Sequence, residues 1–518
     1  MERRGQNGLT GVLSLTASAL FVKILGFLYK IPLSHVLSDE GMGYYNSALN
    51  VYALFFIVCS CAIPKSLSVL LSRARLYQTK KAYKKTFIFL ALLVCSFGLF
   101  MSLILLYYAG KIAQLLGVAD AAMALLFIAP AVVLSTLSSV CRGYLLSYDK
   151  VSCVGVSECI EAISKLFGGI AFVYLGTRAQ LSLPIKSALA VLGITIGTLL
   201  SFLYLLLAAI YLKKEKIVFC GVGIFSAKET FISFLKISLP LMLGGLIFSL
   251  SSLLDVRLIC DGLTASGVMK QDAVRIYGNY STLVLPLISF VNSIVSAFCL
   301  ALFPRLCSFF QHKNECDFIK TLRSASFVLL CCSLALSVGF YFFGEDYFIL
   351  LFKDESVDMG TRALKIISVC IVFVCLLNLF NTALEARGKS AAPLITLGLG
   401  MLIKIPVAII MIPRFGIMGA AYSTVVSYLV AFVISFLLLR SEIHGFMPNF
   451  QEVLSCIFCS AFSFSVGVLL KNVLLKLNVT NVFRLFPLCL TATLLVVFVL
   501  FISKNMSKSI RMLSQYTK

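Results

Sequence analysis

Residues 9–33 read LTGVLSLTASALFVKILGFLYKIPL, an apolar run whose only charged side chains are Lys23 and Lys30. About 20 such residues suffice to cross a bilayer as an α-helix. The run is too long for the apolar part of a signal peptide and lacks a small-residue cleavage site, so we predict a retained first membrane span. Lys23 falls near its middle, where a cation costs a few kcal/mol unless it faces a wet cavity or a partner.

Composition extends this interpretation to the whole chain of 518 residues, of which 60% are hydrophobic and 13% charged. This balance predicts an all-α polytopic membrane protein. The net charge of +22 comes largely from basic residues in short loops, which favours anionic headgroups over nucleic acid as the partner. The 18 cysteines lie mostly inside apolar runs, typical of small buried side chains, and we expect no metal site.

Apolar segments of spanning length recur about fourteen times. We predict membrane helices at residues 9–33, 45–71, 87–107, 121–140, 151–175, 188–211, 231–254, 280–302, 325–343, 363–384, 391–412, 417–439, 453–470 and 485–502. Basic residues concentrate in alternate connections, for example in residues 73–85 and 213–228, whereas residues 34–43 contain no Lys or Arg. The positive-inside rule then places both termini in the cytoplasm, which requires an even number of spans.

A faint internal repeat divides these spans into two halves. GYYNSALNVYALF at residues 43–55 is echoed by YGNYSTLVLPLIS at 277–289, with Ser47 and Ser281 at an offset of about 234. Lys165 and Lys404 stand in their spans at an offset of about 239. We therefore predict two pseudo-symmetric six-helix lobes, residues 1–225 and 226–445, followed by two C-terminal helices and a basic tail at 446–518. Transporters built from such repeats hold their substrate near the bilayer midplane.

Charged residues inside the predicted spans are the candidate substrate contacts. Lys23 and Lys30 lie seven positions apart and therefore share one helical face. In the fifth span Glu158, Glu161 and Lys165 form one stripe, in which Glu161 and Lys165 are also spaced for an intrahelical ion pair that would leave Glu158 without a local partner. A lysine pair that only anchors the helix at the interface remains the alternative for the first span.

Six more residues are candidates for substrate contact or gating. Lys404 stands in the middle of the eleventh span, two residues before Pro406, which frees a backbone carbonyl and bends a helix. Tyr45 and Asn46 in the first half match Asn279 in the second and are candidate sugar contacts, with interhelical hydrogen bonds as the alternative. Asp255 and Arg257 in the seventh span are candidates for an outer gate or for an interface ion pair.

No catalytic constellation emerges from the sequence. Gly388, Lys389 and Ser390 imitate the end of a phosphate-binding loop, but Ala383 stands where that loop needs a glycine. The three histidines are far apart and fall in loops. We therefore expect a transporter, not an enzyme, with no cofactor, driven by the membrane potential, by a coupling ion such as H⁺ or Na⁺, or by the substrate gradient.

Several stretches resemble the stage V sporulation protein B group, of the polysaccharide-transporter branch of the multidrug/oligosaccharidyl-lipid/polysaccharide exporter superfamily. They are KILGFLYKIPLSHVLSDEGMGYYNSALNVYALFF at 23–56, AIPKSLSVLLSRA at 62–74, CRGYLLSYDK at 141–150 and LEARGKSAAPLITLGLGMLIKIPVAIIMIPRFGIMGAAYSTVVSYL at 384–429. The resemblance implies a V-shaped cavity between two lobes and alternating access. It also implies a bacterial cytoplasmic membrane protein that exports undecaprenyl-diphosphate-linked saccharides, such as the peptidoglycan precursor lipid II, for growth or sporulation.

Related lipid II flippases use basic residues in the first span, where Lys23 and Lys30 stand here. Their arginine in the second span has no counterpart, since residues 53–57 are apolar. A cation-coupled multidrug antiporter of the same superfamily is the main alternative, which Glu158 and Glu161 keep open. An enzyme acting on lipid-linked sugars and a non-transporting scaffold are further alternatives.

Overall fold

The structure is a computed structural model that describes residues 2–212, 226–352, 357–389 and 391–448, with scattered positions between 451 and 469. The described chain folds almost entirely into α-helices. The helices are α1 Glu2–Phe56, α2 Ile63–Tyr77, α3 Lys80–Leu115, α4 Ala122–Leu146, α5 Val151–Arg178, α6 Leu183–Leu212, α7 Ala227–Ala265, α8 Lys270–Asn279, α9 Leu285–Gln311, α10 Glu315–Leu351, α11 Val357–Ser368, α12 Cys370–Ala386, α13 Ala392–Phe415 and α14 Ile417–Arg440. The all-α class predicted from the sequence is confirmed.

Two pairs of consecutive helices are joined by a short π-helical turn in place of a loop. Ile57–Cys61 joins α1 to α2, and Tyr280–Val284 joins α8 to α9. A proline follows each turn, at Pro64 in the first turn of α2 and at Pro286 in the first turn of α9. Proline is tolerated there because the first amides of a helix have no intrahelical acceptor to lose.

The connection expected at residues 34–43 is a single sharp break in α1. Ser38 has φ 59° and ψ 173°, while the residues on either side remain helical. Its hydroxyl donates to the carbonyl of Leu37. The polar composition of this stretch suggested a loop, but one residue in a strained conformation is enough to redirect the helix.

Ten described helices are long and apolar enough to cross a bilayer, and the pair α11–α12, bent by 44°, makes eleven. One of the ten is the 57-residue segment Phe21–Tyr77, which contains the Ser38 break. At 1.5 Å per residue it extends roughly 85 Å, enough for two crossings of a core about 30 Å thick.

The predicted count of fourteen spans is not confirmed. The segments expected between residues 87 and 439 all fall on described helices. The segment at 453–470 lies largely outside the described residues, and the one at 485–502 lies entirely outside them.

The chain forms two compact units, Met1–Gly278 and Asn279–Lys518. In the first unit α4, α5 and α6 pack against α1, and α7 packs against α1, α2 and α3. In the second unit α12 packs against α9, α10 and α14, while α13 pairs with α14. The predicted lobes at 1–225 and 226–445, and their pseudo-symmetry, stay predictions.

Candidate functional site

Close packing of α5 on α6 holds the charged stripe of α5 in place. A Cβ at Gly197 would lie 2.7 Å from the carbonyl oxygen of Glu161 and 3.2 Å from the amide nitrogen of Lys165. A Cβ at Gly193 would lie 2.5 Å from the Cα of Gly169. Gly193 and Gly197 form a GxxxG motif, which lets two helix backbones approach where a side chain would hold them apart. The motif therefore fixes the height and rotation of the turns that carry Glu161 and Lys165.

The ammonium of Lys165 lies over an aromatic ring of α1. Its Nζ is 5.6 Å from the centroid of the Tyr29 ring, within the range of a cation–π interaction. The Tyr29 hydroxyl donates to the carbonyl of Ala190 on α6 at 3.2 Å. The ring of Tyr45 packs edge-on against Tyr29, with centroids 6.1 Å apart. Tyr29 is thus held from two sides and presents its face to Lys165.

Three of the predicted lysines come together in the first unit. The charges of Lys30 and Lys23 both lie within electrostatic range of Lys165. Lys30 and Lys165 are half-buried, and Lys23 is exposed. The seven-residue spacing of Lys23 and Lys30 corresponds to about 10 Å along α1. Cationic groups from α1 and α5 therefore lie near one another in the first unit.

Arg142, near the end of α4, supplies a fourth cation. Its Nη2 donates to Oε2 of Glu161 at 3.0 Å, and it lies 3.5 Å from the hydroxyl of Ser201 on α6. The side chains of Arg142 and Glu161 are only 13% and 28% exposed. Within the described residues no ion pair joins Glu161 to Lys165, although their spacing allows one. Tertiary structure has paired Glu161 across helices instead.

The six charges of this group, called here the α1/α4/α5 cluster, do not cancel. Lys23, Lys30, Lys165 and Arg142 carry four positive charges, and Glu158 and Glu161 carry two negative ones. Glu158 is half-buried and lies within electrostatic range of Arg142 and Glu161. The cluster holds an excess of two positive charges in a helical bundle that crosses hydrocarbon. An excess of this kind is costly unless an anion or water neutralises it.

Arg142 was not identified from the sequence because the predicted fourth span ends at residue 140, whereas α4 continues to Leu146. Arg142 therefore looked like the first residue of a loop. The sequence RGYLL at residues 142–146 could have revealed it, because it continues the helix past the apolar run and places a cation about one turn before the end of α4.

The second unit contains Lys404 and Asn279. Lys404 on α13 is 7% exposed and lies within electrostatic range of the Cys370 thiol, at the bend between α11 and α12. Asn279 is 3% exposed, and its Oδ1 lies 3.3 Å from where a Cβ of Gly360 would be. Their roles in binding substrate stay predictions.

Two amide networks of the second unit, one buried and one half-buried, were not predicted from the sequence. Asn381 on α12 donates to Thr396 on α13 at 3.2 Å and accepts from Ser435 on α14 at 2.9 Å. Asn378 donates to Asn292 on α9 at 2.7 Å. Such bonds join helices in a bilayer, where packing alone offers little apolar driving force. They tie α12 to α9, α13 and α14.

The remaining predicted residues occupy varied positions. Tyr45 is fully buried against Tyr29, and Asn46 is 4% exposed, so the two belong to the interior of the first unit. Arg257 is exposed and donates to Asp261 one turn later at 3.1 Å, while Asp255 is half-buried. The contact of Tyr45 and Asn46 with sugars, and the gating role of Asp255 and Arg257, stay predictions.

Metal ligation finds no support in the described ranges, which contain no group of three His, Cys, Asp or Glu side chains arranged to hold an ion. The described helices define a multi-pass α-helical membrane protein. The chain belongs to the family described as polysaccharide biosynthesis protein, whose model matches residues 9–310. The MatE family model matches residues 265–410.

Known proteins resemble the chain over nearly its whole length. Stage V sporulation protein B of Bacillus subtilis strain 168 is 23% identical over 468 residues, covering 88% of this chain and 89% of the relative. The lipid II flippase MurJ of the same organism is 20% identical over 453 residues, covering 83% and 82%. The resemblance to the stage V sporulation protein B group is therefore confirmed.

Solved structures share the fold. A lipid II flippase MurJ in an inward closed conformation aligns with TM-score 0.73 at 15% identity, covering 95% of this chain and 99% of that chain. An inward-facing multidrug resistance MATE family transporter of the MOP superfamily aligns with TM-score 0.60 at 17% identity, covering 82% and 98%.

Proposed function

We propose that this chain is an alternating-access flippase of the bacterial cytoplasmic membrane. In this proposal it exports an undecaprenyl-diphosphate-linked saccharide, such as lipid II or a related polysaccharide unit. Both termini lie in the cytoplasm, and the surrounding membrane lipids are its other partners. The observation that carries the proposal is the excess of two positive charges in the α1/α4/α5 cluster.

The chemistry of the cargo matches that excess. A diphosphate linked to sugars cannot enter hydrocarbon unaided, because its charges and hydroxyls would lose their hydration. Lys165 of α5 and Lys30 of α1 are half-buried ammonium groups, and Lys23, seven residues before Lys30 on α1, is exposed. Charge-assisted hydrogen bonds from such groups to phosphate are about twice as strong as neutral ones. Lys404 is proposed as a further contact from the second unit.

Transport measured with purified protein in liposomes tests the proposal. A fluorescent undecaprenyl-diphosphate-linked saccharide is placed in the inner leaflet, and its exposure to an impermeant external quencher is followed with time. Wild-type protein is expected to raise the rate of exposure well above that of empty liposomes. The variant Lys165→Gln is expected to lower it at least tenfold, since one charged contact contributes about 1.5–3 kcal/mol. A wild-type rate equal to that of empty liposomes overturns the proposal.

A cation-coupled multidrug antiporter is the second candidate. Its support is the carboxylate pair Glu158 and Glu161 inside the first unit, together with the MatE match at residues 265–410. Efflux of a cationic dye from vesicles under an imposed H⁺ or Na⁺ gradient separates the two functions. Gradient-dependent dye efflux without movement of the lipid-linked saccharide favours the antiporter.

A further inference from the structure

We propose that Arg142 is a positioning residue that keeps Glu161 from forming an ion pair with Lys165, so that Lys165 stays available to an anionic ligand. The inference rests on the proposed function, because the ligand it concerns is the diphosphate of the cargo. It assigns to Arg142 a role through another residue, without contact to the cargo.

The local sequence favours a different pairing. Glu161 precedes Lys165 by four residues on α5, the order and spacing that stabilise an intrahelical ion pair. Such a pair would neutralise Lys165 and lower its attraction for phosphate. In the structure Glu161 is bound instead by Arg142, with 3.0 Å between Oε2 and Nη2. Lys165 turns to the ring of Tyr29, 5.6 Å away.

Arg142 is well placed to hold Glu161. It lies on α4 with its side chain 13% exposed, and its Nη2 also reaches the buried hydroxyl of Ser201 on α6. The carbonyl of Glu161 is fixed by the close approach of Gly197. The planar fork of arginine binds a carboxylate in a more fixed geometry than the rotating ammonium of lysine. In a competition for one carboxylate, Arg142 is therefore the favoured partner.

Removing Arg142 is then expected to act on Lys165. In Arg142→Gln, Glu161 loses its partner and turns to Lys165 one turn along. The excess of positive charge in the cluster falls by one, and Lys165 is occupied by Glu161. We expect affinity for an undecaprenyl diphosphate probe to fall about tenfold, as when one charged contact is lost. Glu161→Gln alone is expected to bind the probe more tightly than wild type, because it removes a negative charge from the cluster.

A cycle of four proteins tests the idea: wild type, Arg142→Gln, Lys165→Gln and Arg142→Gln/Lys165→Gln. Each is purified in lipid nanodiscs and its affinity for undecaprenyl diphosphate is measured on the folded fraction. If Arg142 acts through Lys165, Arg142→Gln costs about tenfold in the wild-type background and less than twofold in the Lys165→Gln background. A structural role or a direct contact of Arg142 with the probe would cost the same in both backgrounds, and that result overturns the inference.

The variant Arg142→Gln/Glu161→Gln supplies an independent check. It removes both members of the ion pair, so no unpaired carboxylate is left to capture Lys165, and binding is expected to return to within about threefold of wild type. Binding that stays as weak as in Arg142→Gln overturns the inference. Absence of probe binding by the wild type would instead overturn the proposed function, so the two failures are distinguishable.

Discussion

Neighbouring side chains determine whether a charged residue inside this membrane protein is paired or available to an anion. Lys165 has a carboxylate one turn away, yet it contacts the ring of Tyr29 because Arg142 has bound that carboxylate. Lys30 and Lys23 add positive charge beside it. The net attraction for an anion is therefore a property of six side chains on three helices and of no single lysine.

Lys23 is the residue whose removal gives the plainest outcome. We expect Lys23→Ala to abolish complementation of a strain that lacks export of lipid-linked precursors, because an exposed cation of the cluster is lost. The protein should still insert into the membrane at the wild-type level, measured by immunoblot. The control is Lys111→Ala, which removes an exposed lysine near the C-terminal end of α3 and should complement normally. Normal complementation by Lys23→Ala would remove Lys23 from the site.

Outside the membrane segments, Glu442 links the end of α14 to the α12–α13 connection. Lys389 lies 2.6 Å from its Oε1, and Arg387 lies 3.6 Å from its Oε2 while also pairing with Glu315. The hydrogen bond from Lys389 holds the pKa of the Glu442 carboxyl below its ordinary value of 4.5, with Arg387 lowering it further.

This depressed pKa predicts a sign for the effect of acid. The folded carboxyl binds its proton less readily than the unfolded one, so its stabilising contribution is present above pH 4.5 and is lost as pH falls through the lower folded value. Glu442→Gln should lower the unfolding temperature at pH 7, and this difference from wild type should shrink as pH falls below 4.5. Glu345→Gln, at an exposed carboxyl of the second unit, is the control. A difference independent of pH would contradict the prediction.

At the scale of elements, single residues redirect long helices. α1 turns at Ser38, and the pair α11–α12 bends by 44° where Ser368 ends one helix and Cys370 begins the next. Hydropathy detects the apolar length on each side of such a point but carries little information on the angle between the two parts.

The break in α1 predicts how substitutions at Ser38 change the free energy of unfolding. Ser38 is exposed and holds φ 59° with ψ 173°, a conformation nearly restricted to glycine. We expect Ser38→Gly to raise the free energy of unfolding by up to about 1 kcal/mol, because the strain of the Cβ disappears. Ser34→Gly, in a helical position four residues earlier, should lower it by about 0.5–1 kcal/mol. Denaturant unfolding in detergent measures both, and equal effects would contradict the assignment.

The close packing of α5 on α6 predicts that a larger side chain at Gly197 lowers both stability and binding. Gly197→Leu should destabilise the first unit by about 1–3 kcal/mol, because the new side chain collides with the carbonyl of Glu161. It should also weaken binding of undecaprenyl diphosphate by the folded fraction, since α5 carries Glu161 and Lys165. Gly110→Leu on α3 is the matched control, because a Cβ there would meet open space. Full stability and full binding in Gly197→Leu would contradict the close packing.

At the scale of the whole molecule, the charge of the proposed cargo predicts that transport depends on the membrane potential. With the interior negative, each negative charge that moves outward gains about 2.3 kcal/mol per 100 mV. An exporter of a diphosphate lipid therefore needs no nucleotide to supply its energy. The positive-inside rule predicts that the basic loops of the chain lie on the cytoplasmic side of the membrane.

This energetics predicts the response of transport to voltage. In liposomes with a potassium diffusion potential, an inside-negative potential of about 100 mV should speed outward movement of a fluorescent undecaprenyl-diphosphate-linked saccharide several-fold. Collapsing the potential with an ionophore should return the rate to its starting value. An outward rate that does not change with potential would indicate that a coupled ion balances the charge of the cargo.

Sequence alone determined the class, the all-helical fold, the family and the presence of costly lysines in apolar spans. Each of these depends on composition or on contiguous residues such as 9–33, which the chain carries locally. Tertiary structure decided which charge meets which: the pairing of Glu161 with Arg142, the contact of Lys165 with Tyr29, and the break at Ser38. Those outcomes depend on the rotation and height of one helix against another, set by close contacts such as Gly197 on Glu161, and hydropathy does not encode them.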